Sequence, residues 1–360
     1  MNERLDVFLL GGRLGLDDDG WLLPPLLDRL EQRGVHARVI CVSRGCVPQS
    51  DTRIIEIPSL GSRWLKQLTI RRLRIDGAFE NAGLLHVLHE EMTEVALALV
   101  DACEIPYVQT VDDFSVLDRG LHLSRRWFRG LVVTSSDLAR ALTLDLEIPS
   151  EWINVLAPGL HPSAETPRLA GWRIPVIGTA GLPREGSGFG RFLAAARIVV
   201  DSGHDAEFLI ASQGDDMGEI LRHARSLHIA DRVSVADFAV VGSRFWSVLD
   251  IFCQPSLVPS TGRLLVLAMA AGIPCVASGV KGLVSLIDHD RSGLIVAPGD
   301  PRALAATLIR LIEDPEPAIL LGHRGRQTVE ERFNPEVEAD LLASLYRRYA
   351  IPPRSAAGST

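Results

Sequence analysis

The feature that most constrains this chain is an alternation of short apolar runs with amphipathic stretches, which occurs twice along its length. The first series opens with an apolar run over residues 5–10, continues with a helical pattern over residues 22–33 and returns to an apolar run over residues 37–42. Two apolar runs joined by a helical crossover form a βαβ unit, whose strands pair in parallel. The alternation therefore predicts an α/β fold built on parallel sheets.

The alternation restarts in the second half of the chain, after a polar stretch over residues 158–167 that contains prolines and no periodic apolar pattern. A strand is predicted at residues 175–179, and a glycine-rich segment at 181–190 leads into a helix at 191–201. Further strands are predicted at residues 207–211, 233–235, 251–254 and 274–277. Two series of similar size predict two Rossmann-like, doubly wound domains.

These patterns give the predicted domain limits. Residues 1–163 form the N-terminal domain and residues 164–334 the C-terminal domain, and a chain of 360 residues is long enough for each to bury its own core. A helix over residues 335–350 is predicted to pack back toward the N-terminal domain, and residues 351–360 form a frayed tail. Ligands of doubly wound sheets bind at the carboxyl ends of the strands, so we expect the site in the cleft between the domains.

Charge and apolar patterning exclude several functional classes. The formal net charge is −8, so no global basic field favours binding of nucleic acid. No apolar stretch approaches the roughly 18 residues needed to cross a bilayer, and the polar start of the chain does not form a secretory signal. No cluster of Cys and His has metal-ligand spacing. We therefore expect a cytoplasmic protein with no metal site, no cofactor and no nucleic-acid partner.

An ordered series of motifs carries the first indication of function. In the C-terminal half these are Asp231-Arg232-Val233, residues 249–256, residues 268–277, residues 292–301, Glu331-Arg332-Phe333 and Leu345-Tyr346. Their order and spacing resemble the signature of the family-4 glycosyltransferases, which are retaining enzymes with the GT-B fold. The N-terminal half resembles the family more loosely, at Gly11-Gly12 and at residues 86–89, 110–114, 133–136 and 155–159. The resemblance implies two Rossmann-like domains that face each other across a cleft.

The resemblance also implies a reaction, the transfer of a sugar from a nucleotide-sugar donor to a glycan, lipid-linked or small-molecule acceptor. The departing nucleoside diphosphate gains negative charge, which the protein must meet with cations and backbone N–H groups. The family supplies an Arg and a Lys in a G-R-L-x-x-x-K-G pattern. Residues 181–188 of this chain keep the glycines, but Leu182 and Ser187 occupy the two cationic positions.

Other donor-site positions are changed as well. By the same resemblance, the two glutamates of the family correspond to Pro259 and Leu267, and Asp112 replaces a histidine. The family's G-x-G loop survives only as Gly214, with Ser212 in the first place. These joint changes open an alternative function, a catalytically degenerate pseudo-glycosyltransferase that serves as a binding or regulatory subunit of a protein partner.

The candidate site residues follow from these positions. Arg184 and Arg263 could replace the missing cations, because guanidinium groups suit phosphate, and the helix after Gly188 offers its N-terminal N–H groups. The donor-binding candidates are Gly11, Gly12, Gly181, Arg184, Ser187, Gly188, Gly214, Ser256, Thr261, Gly262 and Arg263, and the catalytic candidate is Asp112. Simpler roles stay open for the side chains: solvated loop residues for the arginines, a turn carboxylate for Asp112, and a structural turn for Ser256, Thr261 and Gly262.

A locally basic segment in the N-terminal half suggests a second kind of contact. Residues 63–75 mix five cations with Trp64 and several aliphatic residues, and residues 124–129 have a similar composition. Such a segment suits an anionic membrane surface, which would place the protein peripherally at the inner membrane face. It equally suits a solvated helix whose apolar side packs on the sheet. A protein partner or a second copy of this chain also stays open.

Overall fold

Two separate parallel sheets organise the chain, which confirms the predicted α/β class. In this computed structural model the described residues are 4–14, 22–45, 47, 49–160, 174–181, 186–212, 217–241 and 244–351, without the side chains of 238 and 239. The chain divides into a first unit, Met1–Gly159 with Pro335–Thr360, and a second unit, Leu160–Asn334. The predicted boundary after residue 163 and most of the predicted tail lie outside the described residues.

The secondary structure elements alternate as strand and helix in both units. The first unit contains β1 (Leu5–Leu10), α1 (Leu23–Gln32), β2 (Val35–Cys41), β3 (Ile54–Glu56), α2 (Lys66–Ile75), β4 (Leu84–Val87), α3 (Thr93–Cys103), β5 (Tyr107–Val111), α4 (Val116–Arg119), β6 (Phe128–Val133), α5 (Ser136–Asp145), β7 (Ile153–Val155) and the C-terminal α13 (Pro335–Tyr349). The second unit contains β8 (Val176–Ala180), α6 (Phe189–Asp201), β9 (Glu207–Ser212), α7 (Met217–Ser226), β10 (Val233–Asp237), α8 (Phe238–Val241), α9 (Arg244–Val248), β11 (Ile251–Gln254), α10 (Arg263–Ala270), β12 (Cys275–Ser278), β13 (Leu294–Val296), α11 (Pro301–Glu313) and α12 (Pro315–Arg332).

In the first unit, the sheet has the order β3-β2-β1-β4-β5-β6-β7 and buries both of its faces. Along β1, Val7 and Leu9 join one hydrophobic cluster with residues of α1 and α13, whereas Phe8 and Leu10 join another with residues of α2 and α3. Successive side chains of a strand point to opposite faces, so a continuous apolar run belongs in a sheet covered on both sides. The apolar run that predicts β1 therefore also explains why helices lie on both faces.

The second unit repeats this design with the order β10-β9-β8-β11-β12-β13. Ile177, Phe208 and Ile210 pack in one cluster with Phe192 of α6 and Leu308 of α11. Strand β13 has no counterpart among the predicted strands, because a run of three residues is too short for its periodicity to be read. Among the described helices of both units, none is long and apolar enough to cross a membrane.

Helix α13 completes the first unit although it follows the second unit in the sequence. Its residues Leu342 and Tyr346 are buried in the same cluster as Leu27 and Leu30 of α1. On the outer side of this contact, Arg29 donates to Glu336 at 2.8 Å and Arg33 donates to Asp340 at 2.6 Å. These surface ion pairs add specificity of docking, while the buried apolar residues supply most of the stabilisation.

We expect the Asp300→Ala substitution to lower the free energy of unfolding by about 1 kcal/mol, the usual effect of removing an N-cap side chain. Oδ1 of Asp300 accepts hydrogen bonds from the backbone N–H groups of Arg302 at 2.9 Å and Ala303 at 3.1 Å, at the start of α11. Urea denaturation measures the change. Asp314→Ala is the matched control, because Asp314 precedes α12 but accepts no such bond from the described residues. Equal losses in the two variants would contradict a capping role for Asp300.

Candidate functional site

The carboxyl ends of β1 and β8 are the natural ligand positions of the two sheets. In the first unit, β1 lies between β2 and β4, and in the second unit, β8 lies between β9 and β11. The strand order reverses direction at both places, and this reversal opens a crevice beyond the strand ends. Gly11 follows β1 and Gly181 follows β8, so both glycine segments picked out in the sequence lie at these switch points.

In the second unit, the glycine segment after β8 packs directly on the loop after β11. The N–H of Leu257 donates to the carbonyl of Gly186 at 2.8 Å. A Cβ on Gly186 would lie 2.8 Å from Val258, and a Cβ on Gly188 would lie 1.8 Å from the carbonyl oxygen of Pro255. Both glycines also have positive φ angles, +89° and +82°. Only glycine permits both the backbone conformation and the close approach of these two loops.

Two helix N-termini begin at this pair of loops. Gly188 is the N-cap of α6 and Gly262 the N-cap of α10, both in the left-handed conformation, and neither cap supplies a side-chain acceptor among the described residues. The first N–H groups of a helix carry partial positive charge and lack partners within the helix. The thirteen-residue helix α6 therefore presents an anion-binding end at the carboxyl edge of the sheet.

Buried polar atoms near the same strand ends lack partners. Three buried side-chain oxygens have no hydrogen-bond partner within the described part of the chain: Oγ1 of Thr179 on β8, Oγ of Ser212 on β9 and Oε1 of Gln254 on β11. The register pairs Thr179 with Ile210, so Ser212, two residues further, lies on the same face of the sheet as Thr179. Leaving such groups buried and unpaired costs about 1–3 kcal/mol each, so this edge is suited to a polar ligand.

Several predicted donor-site residues surround this edge. Ser256 is buried and its Oγ accepts from Nε2 of Gln254 at 3.2 Å. Ser187, Thr261 and Arg263 are half-buried, in the segments that precede or begin α6 and α10. Two candidates, Arg184 and Gly214, lie outside the described residues. The structure thus brings the loops carrying Gly181, Gly188, Ser256 and Gly262 together.

The two positions that the sequence resemblance aligns with the family's glutamates, Pro259 and Leu267, differ in their surroundings. Leu267 is only 7% exposed and is part of the buried face of α10, whereas Pro259 is exposed in the loop before that helix. The backbone N–H of Ser260 donates to the carbonyl of Lys281 at 3.1 Å, which joins this loop to the segment after β12. Lys281 therefore borders the loop that contains Pro259 and Ser260, although it lies 21 positions from Ser260 in the sequence.

In the first unit, the glycine loop after β1 is held by side chains from the loop after β4. The N–H of Gly12 donates to Nδ1 of His89 at 2.9 Å, and the N–H of Arg13 donates to Oε1 of Glu91 at 3.1 Å. A Cβ on Gly12 would lie 1.5 Å from that carboxylate oxygen. Glu91 was not a candidate from the sequence, because only the fold places its carboxylate in the space that the missing side chain leaves.

His86, a second histidine near the end of β4, connects elements of the fold through its hydrogen bonds. It is fully buried on β4, with Nδ1 2.7 Å from the hydroxyl of Tyr346 on α13 and Nε2 2.8 Å from Oγ1 of Thr110 on β5. Burial lowers the pKa of His86 to about 3, and charge on the nearby His89 acts in the same direction. The imidazole is therefore neutral in the folded protein, and it joins the sheet to helix α13.

Asp112, the catalytic candidate, lies just beyond β5 and is half-buried. Its neighbour Asp113 is a turn carboxylate, because Oδ1 of Asp113 accepts from the N–H of Ser115 at 2.7 Å. The polar edge of this unit thus contains Asp112 after β5 and His89 and Glu91 after β4. Within the described residues of both units, no group of three or more His, Cys, Asp or Glu side chains is arranged to hold a metal ion.

Comparison with known proteins agrees with this architecture. Residues 174–314 match the family described as Glycosyl transferases group 1. The chain is 25% identical to 2-deoxystreptamine glucosyltransferase of Streptomyces kanamyceticus over 344 residues, which cover 86% of this chain and 88% of that protein. It is 29% identical to phosphatidyl-myo-inositol mannosyltransferase of Mycobacterium leprae over 322 residues, covering 80% and 82%.

A solved structure supports the fold over nearly the full length. The Anabaena protein HepE in complex with UDP and glucose superposes with a TM-score of 0.76 at 16% identity, covering 96% of this chain and 100% of that chain. This match is to the fold alone. The two parallel-sheet units, the family match over residues 174–314 and the sequence relatives together support a GT-B, family-4-like glycosyltransferase.

Proposed function

We propose that this protein transfers a sugar from a nucleotide-sugar donor to an acceptor, and that the second unit binds the donor. The observation that carries this proposal is the N-terminus of α6, which begins after Gly188 at the switch point of the sheet and receives no side-chain cap from the described residues. Its N–H groups suit a diphosphate. The side-chain oxygens of Thr179 and Ser212, which have no hydrogen-bond partner within the described part of the chain, suit the polar groups of a nucleotide or sugar.

A uridine nucleotide is the donor class that we propose to test first, since HepE is solved with UDP and glucose. Charge on the departing diphosphate would be met by the α6 N–H groups together with Arg263, which begins α10, and Arg184. In this proposal the nucleotide-sugar is a substrate, and no metal or other cofactor takes part.

The first unit is proposed to bind the acceptor. Its polar edge carries Glu91 and Asp112, whose carboxylate oxygens can accept from the hydroxyl groups of an incoming sugar alcohol or glycan. His89 lies beside them, and because its Nδ1 accepts from Gly12, its Nε2–H can donate to such a hydroxyl. The names of the two relatives give different acceptors, 2-deoxystreptamine and phosphatidyl-myo-inositol. We therefore propose the acceptor only as a hydroxyl-bearing glycan, lipid-linked or small molecule. Peripheral contact with a membrane is a separate proposal that rests on helix α2.

Titration of the purified protein with UDP and UDP-glucose tests the proposed donor site. A ligand at 100 times its dissociation constant should raise the free energy of unfolding by about 2.7 kcal/mol, which thermal denaturation detects. Arg263→Gln should raise the ligand concentration needed for the same stabilisation about tenfold, because about 1.4 kcal/mol of binding free energy is lost. Arg302→Gln is the matched control, since Arg302 is exposed in the first turn of α11 and should leave the titration unchanged.

Release of UDP from UDP-glucose in the presence of acceptor mixtures then tests transfer itself. Stabilisation without UDP release would favour the pseudo-glycosyltransferase alternative, in which the protein acts as a subunit of a partner. Absence of stabilisation by any nucleoside diphosphate or nucleotide-sugar would overturn the proposed donor site, whatever the fold.

A further inference from the structure

Helix α2 of the first unit directs a row of apolar side chains into solvent. Trp64, in the turn before the helix, is 88% exposed, Leu68 is 67% exposed and Ile75 is 75% exposed. These residues are four and seven positions apart, so they lie along one side of the helix. The opposite side carries Ile70, which is buried at 4% exposure in the cluster under the helix. We call Trp64, Leu68 and Ile75, with the adjacent Arg71 and Arg72, the α2 surface.

The exposure of these side chains has no explanation in the packing of the first unit. Tryptophan is among the residues that folded proteins bury most extensively, yet nearly all of the Trp64 side chain is in solvent. The helix is already anchored by Ile70 and by Leu73, which packs against the same cluster. The solvated-helix interpretation requires an apolar side that packs inward, and the α2 surface adds a second apolar side that points outward.

Cations flank this outward row. Arg63, Lys66, Arg71, Arg72 and Arg74 lie within residues 63–76, where Asp76 is the only acidic residue, although the whole chain carries a net charge of −8. Asp76 lies 3.5 Å from Arg72, and Lys66 pairs with Glu94 of α3. Arg71, Arg72 and Arg74 are exposed around the apolar row. The segment is thus strongly cationic on an acidic protein.

A second basic segment borders the same hydrophobic cluster. Trp127 packs against the cluster that contains Ile70, and it follows the exposed residues Arg125 and Arg126. The guanidinium of Arg126 lies 4.6 Å from the centre of the Trp127 ring. Both basic segments therefore pack on the same hydrophobic cluster of the first unit.

We propose that the α2 surface binds an anionic lipid bilayer, with the helix lying in the plane of the interface. An interfacial helix combines an apolar row that enters the boundary of the acyl chains with cations that attract acidic headgroups, and Trp is favoured at that depth. The exposed arginines Arg71, Arg72 and Arg74 beside the apolar row match the acidic headgroups of such a bilayer. This charge favours an anionic membrane as the partner of the α2 surface.

Co-sedimentation of the full chain with vesicles tests this proposal, which does not depend on the donor site. We expect binding to phosphatidylcholine vesicles that contain phosphatidylglycerol, weak binding to phosphatidylcholine alone, and release by salt. The Leu68→Ser/Arg72→Glu double variant should lower the partition coefficient by at least about tenfold, since each cation near an anionic surface contributes about a fivefold change. Binding should also shift the tryptophan emission to shorter wavelength, and Trp64→Phe should remove most of that shift.

Helix α5 provides a matched control. Arg140 and Leu144 are four positions apart on that helix, as Leu68 and Arg72 are on α2, and Leu144 is 71% exposed. The Leu144→Ser/Arg140→Glu variant makes the same change in charge and apolar area and should bind the anionic vesicles like the unsubstituted protein. Equal losses in the two double variants, equal binding to both kinds of vesicle, or no binding to either would overturn the proposal. The result of the UDP titration, positive or negative, does not affect the interpretation of these vesicle experiments.

Discussion

Gly188→Ala is expected to destabilise the second unit by about 2–5 kcal/mol, through two separate effects. A non-glycine residue in the left-handed conformation costs about 1–2 kcal/mol, and Gly188 has a φ of +82°. Overpacking adds about 1–3 kcal/mol, because the new Cβ would lie 1.8 Å from the carbonyl oxygen of Pro255. That oxygen belongs to the backbone and cannot rotate away, so the two loops must separate. Urea denaturation and the thermal midpoint measure the loss.

Gly203→Ala separates the two effects within the same unit. Gly203 has nearly the same φ, +83°, but a Cβ there would meet no atom within 4 Å. This variant should lose only the conformational part, about 1–2 kcal/mol. Similar losses in both variants would contradict the close approach of the two loops. If Gly188→Ala still folds, it should also bind UDP more weakly than Gly203→Ala, because the first displaces the start of α6 and the second does not.

Acid is expected to destabilise the first unit through His86. The folded pKa is about 3 and the reference pKa is 6.5, so between these values the unfolded chain binds a proton that the folded protein does not. Stability from this residue is therefore complete above about pH 6.5 and is lost as the pH falls, at about 1.4 kcal/mol per pH unit. From about pH 6.5 to about pH 4.5 the loss is about 2–3 kcal/mol by this relation.

Comparison with His86→Gln isolates this contribution. Near neutral pH the variant should be less stable by about 1–3 kcal/mol, because the hydroxyls of Tyr346 and Thr110 lose a well-placed partner. The difference should shrink or reverse at about pH 4.5, since glutamine does not titrate. Urea denaturation at each pH measures it, and His323→Gln, at an exposed position of α12, provides the control. A difference that stays constant with pH would show that His86 is not held neutral by burial.

The parallel-sheet fold was predictable because its signals are local. An apolar run, a helical repeat and a glycine are read from neighbouring residues, and the limits of β11 coincide with the predicted strand at residues 251–254. The observed limits of an element differ from the predicted ones where a backbone angle sets the end of the element. Helix α6 begins at Phe189 rather than at residue 191, because Gly188 adopts the left-handed cap that starts the helix earlier.

The candidate site was predictable in part. The glycines after β1 and β8 mark strand ends in the sequence, whereas the strand order of the structure places them at the switch points. The partners of those glycines were not predictable. Oε1 of Glu91 accepts from the N–H of Arg13, which lies 78 positions away in the sequence. Thr179 looks in the sequence like an ordinary strand residue.

The sequence by itself thus determined the class of fold, the two units, the glycine loops and the family resemblance, since each depends on residues that are close along the chain or on their order. The tertiary structure alone decided which side chains meet and which remain in solvent. His86 and Tyr346 are 260 positions apart and become partners only when α13 docks on the first unit. Helix α2 mixes cations with apolar residues in a pattern that fits two environments, and only the presence or absence of a packing neighbour leaves Trp64 exposed and Ile70 buried.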